Sequence, residues 1–181
     1  PSVIVGARCR SFGAADPDRG LGNARVGAER IPHGPLAGRP GLLVAESCEY
    51  RRSFLHHHPT FALINNIEED HLDAYAGLDE IVEAFAEFAR RLPPHGRLLM
   101  HHDDAHRERV TATSPGLKAV RCEVETFGEH PDADWRLTLG AEGVSRLDGP
   151  AGTPPLEWRT PMPGRHSALN ASAAAILAIR L

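Results

Sequence analysis

Short apolar runs punctuate the chain at 41–45 and 61–64, each bounded by turn-forming or polar residues. Each predicts a buried strand of a parallel sheet. Further strands are expected at 2–5, where β-branched residues run into Gly6, and at 96–100 and 118–124. Between them, Leu78, Ile81, Val82, Phe85, Phe88, Ala89 and Leu92 recur at three- and four-residue intervals, with Glu80, Glu83, Glu87, Arg90 and Arg91 largely outside. That spacing predicts an amphipathic helix over 78–92, stopped by Pro93 and Pro94. Shorter helices are expected at 53–58 and 104–113. Alternation at 134–139, 143–147 and 156–160, broken by Gly and Pro, predicts a small antiparallel accessory sheet within 133–160. A small-residue helix follows over 171–179, with Ser167 as its expected N-cap. Residues 7–40 lack periodicity and read as one long loop, a kind of segment that is usually functional or mobile. The expected fold is α/β, a mostly parallel open sheet flanked by helices with a small antiparallel accessory sheet, and residues 1–181 form one domain.

The two strongest strands end in chemistry. Glu46 and Glu49 follow the first; Asn66, Glu68, Glu69, Asp70 and His71 follow the second. Ligands of open α/β sheets sit outside the carboxyl ends of the strands. Both runs therefore deliver carboxylate, amide and imidazole groups to one edge, which suits a divalent metal with phosphate, or a general base. Acids after strands also serve as helix N-caps or solvated loop residues, and that alternative stands beside the first. Magnesium takes only one or two protein ligands beside water and phosphate oxygens, so Glu46 and His71 would suffice. The triplet His56, His57 and His58 reads as scattered surface imidazoles, because consecutive helical residues cannot converge on one point. In the long loop, Arg25 can pair with a phosphate and Asn23 can read an amide or hydroxyl; a solvated loop arginine is the plain alternative. Asp103 and Asp104, after the strand at 96–100, face the same edge or cap the next helix.

Composition changes this picture little. Hydrophobic content of 41% and charged content of 24% are ordinary for a globular chain, and net charge is −4. The sequence holds no basic, aromatic-interleaved stripe for nucleic acid, no membrane-length apolar stretch and no export signal. Nucleic-acid and membrane partners are therefore not expected, and a cytoplasmic location is. Cys9, Cys48 and Cys122 are scattered, odd in number and without metal-finger spacing, consistent with reduced thiols. Lys118 is the sole lysine.

The string Ala45-Glu-Ser-Cys-Glu-Tyr-Arg-Arg-Ser-Phe-Leu55, followed by Pro59-Thr-Phe-Ala-Leu-Ile-Asn-Asn-Ile-Glu-Glu-Asp-His-Leu-Asp73, resembles the central domain of the Mur ligases. It is most similar to the branch that joins L-alanine to UDP-N-acetylmuramate. The resemblance implies an ATP-dependent amide ligase of peptidoglycan precursor synthesis, acting through an acyl phosphate with ATP and Mg2+ as cofactors. It places the metal-binding Glu on Glu46 and the metal-binding His on His71. The commoner Glu-Ala-Asp-Glu-Ser pattern is here Glu46-Ser47-Cys48-Glu49-Tyr50, so a neighbouring carboxylate is replaced by Cys48. The Gly-x-His-Asn-x-x-Asn pattern falls on Gly164 to Asn170: Asn170 matches the second adenine-contacting Asn, Ser167 stands in place of the first, and His166 lies beside it. Asn23, Arg25 and Asn66 are expected to place the UDP-N-acetylmuramate substrate.

Several other Mur ligases carry a carbamylated lysine in the helix corresponding to 78–92, which has none here, in keeping with the alanine-adding branch. No Gly-x-x-x-x-Gly-Lys-Ser/Thr loop occurs. The expectation is an incomplete central domain that lacks its phosphate loop and works with N- and C-terminal domains of the same enzyme, inactive by itself. A related muropeptide or amide ligase, and a non-catalytic nucleotide- or metal-binding module, are the alternative readings.

Overall fold

Strand β5 (Arg97–His101) sorts its side chains between two cores. Leu98 and Met100 join a cluster with Phe54, Ile64, Ile81, Phe88 and Leu92 on one face; Leu99 joins Phe127, Trp135, Leu169 and Ile176 on the other. This is the two-residue period of a strand buried on both sides. The first face is covered by α1 (Leu78–Arg90) and the second by α3 (Arg165–Arg180). Apolar positions three and four apart on α1 give it one apolar stripe, and Phe54 packs edge-on against Phe85 and stacks on Phe88. α3 instead meets the sheet through small residues, Ala168 and Ala173 among them, which let the helix approach closely.

The computed structural model describes residues 1–9, 22–33, 37–112, 120–160, 162 and 164–181. Much of the expected 7–40 loop, the start of the expected 118–124 strand with Lys118, and Pro163 lie outside the described residues. The chain forms two compact units, residues 1–48 and 49–181.

The first unit is a three-stranded sheet of order β2-β1-β3, from β1 (Ser2–Cys9), β2 (Gly22–Arg25) and β3 (Leu43–Ala45). β1 pairs antiparallel with β2 and parallel with β3. Two expectations change here. The stretch read as loop from residue 7 contains the end of β1 and all of β2, because strand pairing supplies order where the side-chain pattern shows no period. The run at 41–45 does form a strand parallel to its neighbour, but it is not buried: Leu43 is 63% and Val44 42% exposed. Among the described residues of this unit there is no helix to cover it.

The second unit carries a six-stranded sheet in sequence order, β4 (Phe61–Ile64), β5, β6 (Glu123–Gly128), β7 (Trp135–Leu139), β8 (Val144–Asp148) and β9 (Leu156–Arg159). The pairings from β4 to β7 are parallel; β7-β8 and β8-β9 are antiparallel. The antiparallel strands expected within 133–160 are thus present and continue the main sheet, joined at Phe127↔Trp135 and Gly128↔Arg136. The strand expected at 118–124 is instead β6 from Glu123 to Gly128, which keeps register with β5 from Arg97↔Glu123 to His101↔Phe127. The helix expected at 104–113 shortens to α2 (Arg107–Thr111), and the one at 53–58 is a 3₁₀ segment, Tyr50–His56. Gly164 (φ 118), not Ser167, is the N-cap of α3; a residue with φ in that region favours glycine, and the helix begins two positions before Ser167. Among the described residues no helix is long and apolar enough to cross a membrane.

Candidate functional site

Because β4, β5 and β6 run parallel, their carboxyl ends lie on one edge, and a cavity of about 290 Å³ opens there. Asn65, Asn66, Ile67 and Glu68 enter it from the end of β4, His101, Asp103 and Asp104 from the end of β5, and Phe127 from β6. The first turns of α3 close it with Arg165, His166, Leu169 and Asn170. The lining combines apolar Ile67, Phe127 and Leu169 with three amide side chains and with imidazole and charged groups, a mixture that suits a flat ring with a polar edge.

The carboxylates of this cavity are committed to its framework. Asp104 accepts from the Ile67 N–H and the His106 N–H, both at 2.8 Å, and so ties the end of β4 to the loop after β5. Asp103 accepts from the Glu129 N–H at 3.0 Å. Asn66 donates to Glu68 at 3.0 Å. Arg165 pairs with Glu129. Asn65 donates through Nδ2 to Asn170 Oδ1 at 3.3 Å. His101 is 9% exposed; its Nε2 has no hydrogen-bond partner and lies 3.4 Å from Asp103 Oδ2. Burial holds its pKa below the ordinary imidazole range, the Asp103 charge opposing that shift.

A second constellation forms where the turn at 71–74, beyond β4, meets the start of the Tyr50–His56 segment. His71 Nε2 sits 3.4 Å from Glu49 Oε1, and its ring meets Tyr50 edge-on at 5.2 Å. Tyr50 donates to Asp73 at 2.9 Å, a bond that raises the phenol pKa. Arg51 (φ 49), Arg52 (φ 57) and His71 (φ 54) all occupy the left-handed region, which costs a non-glycine residue energy and gathers at functional sites. Tyr75 Oη and the Arg52 N–H both bond the Glu49 carbonyl, and the Ala74 and Tyr75 N–H groups bond the His71 carbonyl, holding these turns in place.

Of the residues singled out by sequence, Asn66, His166 and Asn170 are brought together around the cavity. Ser167 is half-buried on the same helix and does not line it. His71 stands at the second constellation, with Glu49 as its carboxylate neighbour. Glu46, Asn23 and Arg25 belong to the first unit: Glu46 Oε2 accepts from the Gly6 N–H at 2.7 Å, and Asn23 and Arg25 are exposed on β2. His56, His57 and His58 are all exposed. Asn65, His101 and Arg165 were not anticipated. Asn65 and His101 each sit at a strand's carboxyl end, and that position was the available signal.

The model of the Mur ligase middle domain matches residues 42–178. The UDP-N-acetylmuramate–L-alanine ligase of Desulfitobacterium hafniense (strain Y51) is 34% identical over 184 residues, covering 100% of this chain and 35% of its own length. The protein of the same name from Salinispora arenicola (strain CNS-205) is 40% identical over 161 residues, covering 86% of this chain and 31% of its own. The chain thus spans about a third of the length of these curated relatives. Among solved structures, the UDP-N-acetylmuramate:L-alanyl-gamma-D-glutamyl-meso-diaminopimelate ligase from Neisseria meningitides matches 99% of this chain and 52% of its own, with TM-score 0.74 and 24% identity. A MurF ligase from Thermotoga maritima in complex with ADP matches 80% and 34%, with TM-score 0.58 and 17% identity. At these identities the two structures establish the shared fold.

Proposed function

Because the chain belongs to the Mur ligase family through its middle domain, we propose that it forms the ATP-binding centre of a cytoplasmic ligase that joins L-alanine to UDP-N-acetylmuramate in peptidoglycan precursor synthesis. Residues 1–181 are read as one incomplete central domain working with further domains of the same enzyme. The observation that carries the nucleotide part is the amide-lined cavity at the carboxyl ends of β4–β6, closed by Asn170 on α3. The names of the relatives at 34% and 40% identity support the alanine acceptor.

In this reading Asn170 and His166 face the adenine ring, with Ser167 beside them on the same helix turn. Asn23, Arg25 and Asn66 place the sugar nucleotide; the exposed Arg25 guanidinium offers a bidentate grip on a phosphate. The donor chemistry suits magnesium. Glu46 has a carboxylate oxygen beyond the one engaged by Gly6, and His71 offers an imidazole beside the Glu49 carboxylate. Glu46 and His71 are each read as a ligand for that ion, whose charge would offset that of the ATP phosphates. The γ-phosphoryl group passes to the lactyl carboxylate of UDP-N-acetylmuramate and ADP is formed. The L-alanine amine then attacks the acyl phosphate, the amide forms, and inorganic phosphate and a proton are released. The chain's own contribution is positioning and charge placement, the main demands of phosphoryl transfer.

The test is ADP release by the protein that carries this segment, supplied with UDP-N-acetylmuramate, ATP, Mg2+ and single amino acids or peptides. L-alanine is expected to be the preferred acceptor, and Asn170→Ala to raise KM for ATP. A preferred peptide acceptor would move the assignment to a muropeptide ligase, and a protein that binds nucleotide without turnover would leave a binding module.

A further inference from the structure

Tyr75 is bonded to both members of the Glu49–His71 pair. Its hydroxyl donates to the Glu49 carbonyl, and its backbone N–H donates to the His71 carbonyl at 3.1 Å. One residue thus pins the two backbone points from which the carboxylate and the imidazole reach each other, His71 Nε2 standing 3.4 Å from Glu49 Oε1. Tyr75 is itself fixed: it is 3% exposed and belongs to the core cluster that holds Phe54 and Ile81. His71 needs such a hold. At φ 54 it sits in the left-handed region, which persists in a non-glycine residue only where its neighbours over-determine it. Tyr50 flanks the same imidazole, its ring edge-on at 5.2 Å and its hydroxyl donating to Asp73 at 2.9 Å.

We propose that Tyr75 is a positioning residue for cation binding: its hydroxyl, bonded to the Glu49 backbone, sets the Glu49 carboxylate against the His71 imidazole. The proposal rests on the reading of His71 as a cation ligand. A carboxylate beside a metal-binding imidazole orients the ring and raises its basicity, so the spacing of the pair bears on affinity. The local turns alone do not fix that spacing. The Arg52 N–H on the Glu49 carbonyl and the Ala74 N–H on the His71 carbonyl, both at 2.8 Å, each close a turn within one segment. The Tyr75 hydroxyl crosses from one segment to the other.

The test is a titration of Mn2+ alone into the protein that carries this segment, with free Mn2+ read by electron paramagnetic resonance and Tm measured for each variant. Tyr75→Phe removes the hydroxyl, keeps the ring in the core and leaves the Glu49 carbonyl its Arg52 partner, so the variant is expected to fold. Its Mn2+ affinity is expected to fall about tenfold, the lower end of the loss when the partner of a metal-binding histidine is removed. In a Glu49→Gln background the same substitution is expected to cost less than about twofold, because the carboxylate it places is gone. Wild-type affinity in folded Tyr75→Phe, with binding weakened in His71→Ala, overturns the role of Tyr75 and leaves the cation reading standing. An equal loss in the wild-type and Glu49→Gln backgrounds also overturns it, since Tyr75 would then act on the fold at large and not through Glu49. A wild-type protein that binds no Mn2+, or unaltered binding in His71→Ala, overturns the cation reading and the proposal with it.

Discussion

Arg180, at the end of α3, donates to Glu125 Oε2 from both Nε (3.0 Å) and Nη2 (2.9 Å). The same oxygen accepts from Trp135 Nε1 at 2.6 Å, the guanidinium lies 5.0 Å from the Trp135 ring centroid, and Arg97 pairs with the other carboxylate oxygen. Glu125 is 4% exposed. One buried carboxylate therefore fastens the last turn of α3 to β5, β6 and β7, on the face whose helix supplies Asn170. Removing it leaves an indole N–H and two guanidinium groups short of their partner. Glu125→Ala is expected to cost about 2–4 kcal/mol, less than a fully buried pair because both arginines keep some solvent. Urea denaturation measures this; a loss below about 1 kcal/mol would show that the network contributes little.

Buried His101 and half-buried His102 make stability fall with acid. Burial lowers the pKa of His101, and burial together with Arg107 and His130 lowers that of His102. Above the unfolded value of about 6.5 both states are neutral and nothing is lost. As pH falls through that value the unfolded chain takes up protons that the folded chain does not, so unfolding is favoured until the lower folded pKa is reached. His101→Leu should flatten the decline of Tm between pH 7 and pH 5 relative to the wild type. Parallel Tm curves for the two proteins would assign the slope to other groups.

What was legible in the sequence follows from how each element is stabilised. α1 was visible because an apolar stripe with three- and four-residue spacing carries most of its burial, from Ile81 to Ala89. β4 and β5 were visible because each carries an apolar run, Phe61–Ile64 and Leu98–Met100, that packs into both cores. β2 was not, since Gly22–Arg25 is held by backbone pairing with β1 and its last three residues are exposed. The strand expected to stop at Val124 runs on to Gly128, because Glu125 owes its buried place to Arg97, which is distant in sequence. At the site, the strand-end rule located the edge, and Asn66, His166 and Asn170 do share a cavity. The Asn65–Asn170 bond and the turn that sets Glu49 against His71 depend on backbone geometry, which residue spacing does not encode.

Gly128 lies tight against Asp103 and His101, two residues that line the cavity. A Cβ there would stand 2.3 Å from Asp103 Oδ2 and 3.3 Å from His101 Cδ2. Asp103 cannot back away without giving up its bond to the Glu129 N–H. Gly128→Ala is therefore expected to destabilise by about 1–3 kcal/mol through overpacking and to weaken nucleotide binding. The shift in urea midpoint and the ADP affinity together check it; a variant with wild-type values for both would mean that the loop accommodates a methyl group freely.

Glu49 should matter to cation binding through His71. A carboxylate beside a metal-binding imidazole orients the ring and raises its basicity, and losing such a partner weakens metal affinity by about 10–100-fold. With His71 Nε2 at 3.4 Å from Glu49, Glu49→Gln is expected to weaken Mn2+ binding by that order, and His71→Ala to weaken it at least as much. Electron paramagnetic resonance titration of free Mn2+ reads this without any turnover. Unaltered affinity in His71→Ala would take His71 out of the cation site.

Asp104 is the strut that keeps the cavity open. Its two oxygens hold the Ile67 and His106 N–H groups, each at 2.8 Å, and Ile67 is 4% exposed. The strand-end stretch Asn65–Ile67 therefore depends on one side chain from the neighbouring loop for its position. Asp104→Asn keeps the shape and one good acceptor, so about 1 kcal/mol should be lost; Asp104→Ala abandons both N–H groups and should lose about 2–3 kcal/mol. Because the Ile67 amide sits beside Asn65 and Asn66, the alanine variant should also speed hydrogen exchange at that amide and lower ADP affinity together. Exchange that accelerates with no change in affinity would separate the strut from the site, and would show that the amides hold their places through α3 alone.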